Sequence, residues 1–240
     1  MTNQIVLIAE DDPVYRSFIA KAIAESSLAS SEILQAEDGA VAVELARRHS
    51  VACVVLDLQM PRVSGVDAAR QIWGHDPATR ILFWSNFADE AYVRSLARIV
   101  PSEASYGYLL KSTAPERLRG AIEGVFVDGQ CIIDREIRGI QARAENGQEA
   151  LNNIEYDMLI DIALGFTDQA MATRHNLSTR GVQSRLQKLY TKLDVGSETI
   201  GGTPVYNPRT RAIGVAILRG LINADLIGRA GLSAQPPTED

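Results

Sequence analysis

Cysteine is nearly absent: Cys53 and Cys131 are the only two in 240 residues, and they form no CxxC pair and no metal-ligand spacing. A disulfide scaffold and a structural zinc site are thereby excluded, and both side chains read as reduced thiols, Cys53 within an apolar run. Long hydrophobic runs are missing too. None approaches the roughly 18 residues that a membrane span needs, so no membrane partner is expected. The N-terminus, MTNQIVLIAEDD, has no basic region, and its short apolar stretch ends in acids, which is not the pattern of a signal peptide. A cytoplasmic location is the expectation. There is no internal repeat. Nor is there an overall positive charge; the net of −6 argues against indiscriminate nucleic-acid binding.

That average conceals an asymmetry. Residues 1–133 carry 12 Lys+Arg against 17 Asp+Glu, whereas residues 165–220 carry 8 basic and 3 acidic residues, a local net of +5. A basic island in an acidic chain is what a compact DNA-reading module leaves. The length fits two domains of about 100–150 residues each.

In the first half, short β-branched runs alternate with helical patterns. Gln4–Ala9, Glu32–Ala36, Val51–Leu56, Arg80–Trp84 and Tyr106–Leu110 read as five strands. Helical stretches lie near 14–25, 39–49, 65–74, 88–98 and 115–126. This alternation predicts an α/β doubly wound parallel sheet of five strands, whose ligands bind beyond the carboxyl ends of the strands. The residues at those ends are unusual for loops. Glu10 and Asp11 follow the first strand, Asp57 the third, Ser85 the fourth and Lys111 the fifth. Three carboxylates at one sheet end repel one another unless a cation compensates, and hard oxygen ligands with open positions suit Mg²⁺. An aspartate there can attack a phosphoryl group, with a lysine and a hydroxyl holding the remaining phosphoryl oxygens.

The pieces IAEDDP at 8–13, VVLDLQMPRVSG at 54–65, ILFWS at 81–85 and GYLLKS at 107–112 occur in order at these strand ends. Residues 5–126 thus resemble the flavodoxin-like receiver domain of two-component signalling. The resemblance implies Asp57 as phosphoacceptor, and Glu10, Asp11, Asp57 and the Gln59 backbone carbonyl as ligands of Mg²⁺. It further implies that Ser85 and Lys111 contact the phosphoryl group, and that Tyr108 is the aromatic whose rotamer follows Ser85. A sensor histidine kinase is the implied partner. An aspartyl-phosphate phosphatase would need an acid where Gln59 stands, so only self-phosphorylation and slow self-dephosphorylation are expected, not turnover of a foreign substrate.

From residue 134 the pattern is helical: a charged helix or linker over Arg135–Glu145, then helices near 154–164, 168–174, 179–193 and 209–223. The stretch Gly196–Pro208 is rich in Gly and Pro and reads as a loop. Thr167 is placed to cap the second of these four helices, and Ser178 or Thr179 the third. On the third, Val182, Leu186, Leu189 and Leu193 form one buried stripe. Its other face presents Arg180, Gln183, Ser184 and Gln187, with Arg185, Lys188 and Lys192 beside them; the glutamines and the serine suit bases, and the flanking Arg and Lys suit phosphates. Any amphipathic helix has such a solvated face. Here, however, GFTDQAMA at 165–172, LS at 177–178, Val182 and KLDV at 192–195 resemble the LuxR-type helix-turn-helix of the NarL/FixJ response regulators. That resemblance implies double-stranded DNA as partner, and a homodimer in the active form through the helix at 209–222. His175 departs from it, as a packed core histidine in a usually aliphatic place. Gly181 departs too, weakening the start of its helix by roughly 1 kcal/mol.

The expected organisation is therefore a receiver at 1–127, a linker at 128–150, an all-α helix-turn-helix domain at 151–232 and a disordered tail at 233–240. The expected function is phosphorylation-dependent control of transcription, in which phosphorylated Asp57 alters dimerisation and DNA binding. The rivals are a receiver with a protein- or RNA-binding output, and one that works without phosphorylation.

Overall fold

The computed structural model describes residues 4–146, 150–195, 199–200 and 203–234. The chain forms two compact units, one made of the residues up to Ala88 together with Tyr92–Ile140, the other of Asp89–Ala91 together with the residues from Gln141 onward.

The first unit alternates β1 (Ile5–Ala9), α1 (Pro13–Ala24), β2 (Glu32–Ala36), α2 (Gly39–His49), β3 (Cys53–Leu56) and α3 (Gly65–His75). It continues with β4 (Arg80–Ser85), α4 (Glu90–Ala97), β5 (Tyr106–Leu110) and α5 (Pro115–Phe126). The strands lie in the order β2-β1-β3-β4-β5 and all neighbours are parallel. Successive side chains of a strand point to opposite faces, and the two cores follow that period. Leu7, Val54, Leu56, Ile81 and Phe83 pack with Val43 of α2 and Ile72 and Trp73 of α3. Val6, Ile8, Val55, Leu82 and Trp84 pack with Ile19 and Ile23 of α1 and Ile122 and Phe126 of α5. Both faces are covered, which is why these strands read as apolar throughout.

One strand more than expected is present. A two-residue β6 (Ile132–Ile133) pairs Gly107 with Ile132 and Tyr108 with Ile133 on the outer edge of β5. It satisfies backbone groups that an edge strand would leave unpaired. Asp134 anchors it: its N–H donates to the Tyr108 carbonyl at 2.9 Å, and its carboxylate accepts from the Leu110 N–H, Thr113 Oγ1 and Arg117 Nε at 2.9–3.1 Å. Next comes α6 (Arg135–Asn146), whose Ile137 and Ile140 are buried in the core beside Phe83 and Tyr108. The stretch expected as linker, 128–150, thus supplies a strand and a core-packed helix.

Two glycines permit close approaches that shape the end of the sheet. A Cβ on Gly65 would lie 1.8 Å from the Asp57 carbonyl oxygen, and one on Gly39 would lie 2.2 Å from that of Val63. The loop between β3 and α3 can therefore fold tightly back over the end of β3.

The second unit holds α7 (Asn153–Ala163), α8 (Asp168–Arg174), α9 (Thr179–Lys192), α10 (Pro208–Leu218) and α11 (Ala224–Ala234). Asn152 and Glu155 form a reciprocal capping box at the start of α7. Thr167 caps α8 and Ser178 caps α9, each accepting from a backbone N–H. The Ser178 cap satisfies the N–H of Gly181 itself, at 3.1 Å. Val182, Leu186, Leu189 and Leu193 are buried against Leu159, Met171 and Ala216, as the stripe requires. His175 is held in a polar pairing rather than apolar packing: Nε2 lies 2.6 Å from Oδ2 of the buried Asp161.

The last segment differs from expectation. The helix expected to reach residue 223 stops at Leu218, because Gly220 adopts the left-handed φ of +67° that ends helices. A further helix, α11, follows and takes in residues 233–234 of the expected tail; 235–240 lie outside the described residues. Within the expected loop, β7 (Thr199–Ile200) and β8 (Thr203–Pro204) pair antiparallel, while 196–198 and 201–202 lie outside the described residues.

Candidate functional site

In the first unit, the carboxyl ends of β1, β3 and β5 bring Glu10, Asp11, Asp57 and Lys111 together. Glu10 and Asp57 are almost fully buried, whereas Asp11 is exposed. One ligand oxygen from each of the three acids lies within 4.8 Å of the others. Lys111 Nζ donates to Glu10 Oε1 at 2.9 Å and to Asp57 Oδ2 at 3.1 Å. Glu10 Oε2 lies 2.8 Å from the same ammonium but is not aligned to accept from it, which leaves a buried carboxylate oxygen open to a further ligand.

The electrostatics follow from this crowding. Burial, and secondarily the Asp57 charge, push the Glu10 carboxyl up to about 7 against the pull of Lys111. Burial likewise raises Asp57, opposed by the Lys111 charge and by the backbone N–H groups of Gln59 and Leu58. For Lys111, burial works to favour the neutral amine, but its hydrogen bonds and the charges of Glu10 and Asp57 outweigh it and hold the ammonium above its usual range. One ammonium thus faces two buried carboxylates. A hard dication matches the donor set, because carboxylate oxygens are its preferred ligands.

The remaining sequence-predicted residues of this unit lie at the neighbouring strand ends. Gln59 donates its backbone N–H to Asp57 Oδ1 at 3.4 Å. Ser85 is fully buried as the last residue of β4; its carbonyl accepts from the Lys111 N–H at 2.9 Å, and its Oγ accepts from the Phe87 N–H at 3.3 Å. Tyr108 is buried, and its hydroxyl donates to the Phe87 carbonyl at 2.7 Å. Ser85 and Tyr108 therefore grip the same backbone segment from two strands.

Three contributors carried no sequence signal. The Tyr15 ring, in the first turn of α1, sits 4.4 Å from Lys111 Nζ in a cation–π contact that favours the ammonium. Arg16 donates to the Glu10 carbonyl at 2.6 Å. Arg62, at a left-handed φ of 63°, forms an ion pair with the buried Asp38 and so ties the loop after β3 to the start of α2.

In the second unit, Arg180, Gln183, Ser184, Gln187 and Lys188 are exposed on α9, as the sequence suggests. Arg185 is half-buried, with Nη1 3.4 Å from the Gly181 carbonyl. Lys192 is a correction. Its Nζ donates to Glu155 Oε2 at 2.7 Å and to the Ala150 carbonyl at 2.8 Å, so it ties α9 to the start of α7 rather than standing ready for a phosphate. The sequence places it one turn beyond Lys188, and nothing in that spacing reveals a partner 37 residues away.

Residues 6–123 match the response regulator receiver domain family. The chain is 30% identical over 226 residues to the transcriptional regulatory protein YdfI of Bacillus subtilis, covering 92% of this chain and 98% of that one. It is 29% identical over 200 residues to the nitrate/nitrite response regulator protein NarP of Escherichia coli, covering 80% and 89% respectively. Among solved structures it shares its fold with RcsB of Salmonella enterica bound to promoter P1flhDC, at a TM-score of 0.59 and 19% identity over 92% of this chain and all of that one. The order of elements, the strand-end residues and these similarities agree: the chain is a two-component response regulator of the NarL/FixJ type, a receiver followed by a LuxR-type helix-turn-helix domain.

Proposed function

We propose that this protein is a phosphorylation-controlled transcription regulator in which Asp57 accepts a phosphoryl group and the change governs dimerisation and DNA binding by the second unit. The observation that carries the proposal is the buried Asp57 carboxylate held by Lys111 inside an acidic cluster with one ammonium for two buried acids. An Asp57 carboxylate oxygen attacks phosphorus, the bond from phosphorus to the donor breaks, and the electron pair leaves with the donor. A histidine kinase or a small acyl phosphate supplies the group. Lys111 then balances the new dianion, and the Ser85 hydroxyl, turned from Phe87, donates to it. Glu10, Asp11, Asp57 and the Gln59 carbonyl would hold Mg²⁺, which when bound neutralises the clustered charge that would otherwise repel the incoming phosphoryl group. Slow loss of phosphate to water is the only turnover proposed.

The output follows from the α9 face. Arg180, Arg185 and Lys188 provide phosphate contacts and Gln183, Ser184 and Gln187 base contacts. Among the described residues no helix is long and apolar enough to cross a membrane; the cytoplasm, where kinase and DNA are both accessible, is the proposed location. The transition works by population shift: the phosphoryl dianion favours a state in which Ser85, Phe87 and Tyr108 rearrange together. Duplex-DNA titration and sedimentation with and without acetyl phosphate and Mg²⁺ test this. The expected result is dimer formation and affinity tighter by about tenfold or more, a usual scale of coupling, with a steep fall of affinity with salt. Equal affinity and mass in both conditions would contradict it.

A further inference from the structure

In the second unit, a charged pair stands beside the α9 face without belonging to it. Asp168, the first residue of α8, accepts from Arg209 Nη2 through Oδ1 at 2.8 Å and from Gln183 Nε2 through Oδ2 at 3.3 Å. The starts of α8 and α10 thereby converge on one exposed amide of α9. A free side-chain amide has two orientations that differ only in which end donates. A carboxylate accepts and cannot donate, so Asp168 admits only the nitrogen end of Gln183. Arg209, which can only donate, takes the other carboxylate oxygen and supplies the charge that lets an acid stand next to a surface meant for phosphates.

With one N–H engaged, Gln183 is left with its Oε1 and its second N–H, an acceptor beside a donor. Only adenine shows the complementary pair on its major-groove edge, a donor at N6 and an acceptor at N7; guanine there offers two acceptors. We infer that Asp168 and Arg209 are specificity-determining positioning residues, which fix the amide of Gln183 so that α9 selects adenine at the base pair it faces. This deepens the DNA-binding reading given above and rests on it.

The Asp168→Asn variant gives a sharp test, because it keeps shape while changing one acceptor into a donor. Arg209 still only donates and so claims the Asn carbonyl, which turns the new amide nitrogen towards Gln183. Gln183 must then offer its Oε1 to that nitrogen, leaving two N–H donors for DNA, matched to N7 and O6 of guanine. Full-length wild type, Asp168→Asn and Gln183→Ala are each run through selection from random duplex DNA with acetyl phosphate and Mg²⁺ present. The expected result is that wild type prefers adenine at one position, Gln183→Ala loses preference there, and Asp168→Asn moves that same position towards guanine. The expected change in the adenine-to-guanine ratio is about tenfold, the scale of one bidentate base contact, with other positions unchanged. An Asp168→Asn protein that selects the wild-type sequence at every position would overturn the inference alone. So would Asp168→Asn and Gln183→Ala affecting different positions. Wild type that selects no duplex sequence would overturn the DNA-binding reading itself, and the inference with it.

Discussion

At Glu10 the cost of clustering acids becomes measurable. Its folded carboxyl is raised to about 7 from an ordinary 4.5, so between those values the folded protein keeps a proton that the unfolded chain releases. Below the ordinary value both states are protonated and the difference vanishes. Without divalent cation, stability is therefore fully present below pH 4.5, falls as pH rises through the window and levels off above about 7. The total is at most ~3.5 kcal/mol, since one pKa unit is worth about 1.4 kcal/mol. Urea unfolding in chelator at about pH 5 and about pH 8 reads this directly. Wild type should be the less stable at the higher pH, and Glu10→Gln should remove most of the difference; a wild-type midpoint that rises across the window would contradict the assignment. The acids and the lysine were legible in the sequence because each lies within two residues of a strand end. Tyr15, Arg62 and the Asp168–Arg209 pair were not, because their roles come from contacts that no spacing encodes. Lys192 was misplaced for the same reason.

Among the elements, strands and helices of the first unit could be read from hydrophobic period and caps; β2, α2, β5 and α5 coincide with the sequence expectation to the residue. What escaped was short or self-contradictory in pattern. Two residues of β6 give no period to read. The α11 sequence carries Gly228 and Gly231, which weaken helical propensity by about 1 kcal/mol each relative to alanine, so its pattern does not stand out. The α6 sequence is largely polar and charged, which left helix and linker both open and gave no sign of a core contact, yet Ile137 is fully buried in the receiver core. Ile137→Ala should accordingly destabilise the first unit by about 2–5 kcal/mol, the usual cost of emptying a core position. Trp73 and Trp84, the only two tryptophans of the chain, both lie in that unit, so tryptophan fluorescence during denaturation follows it alone. An unchanged midpoint would mean that α6 contributes nothing to the receiver.

For the molecule as a whole, charge divides the labour. The first half carries the excess of acids and clusters three of them at one sheet end, while residues 165–220 carry a local net of +5. Everything downstream depends on whether Asp57 takes the phosphoryl group. The most direct measurement is intact-protein mass after incubation with acetyl phosphate and Mg²⁺, wild type beside Asp57→Asn, with a chelated control. The account predicts one phosphoryl adduct on wild type, little in chelator and none on Asp57→Asn. No adduct on wild type, or an equal adduct on Asp57→Asn, would contradict it.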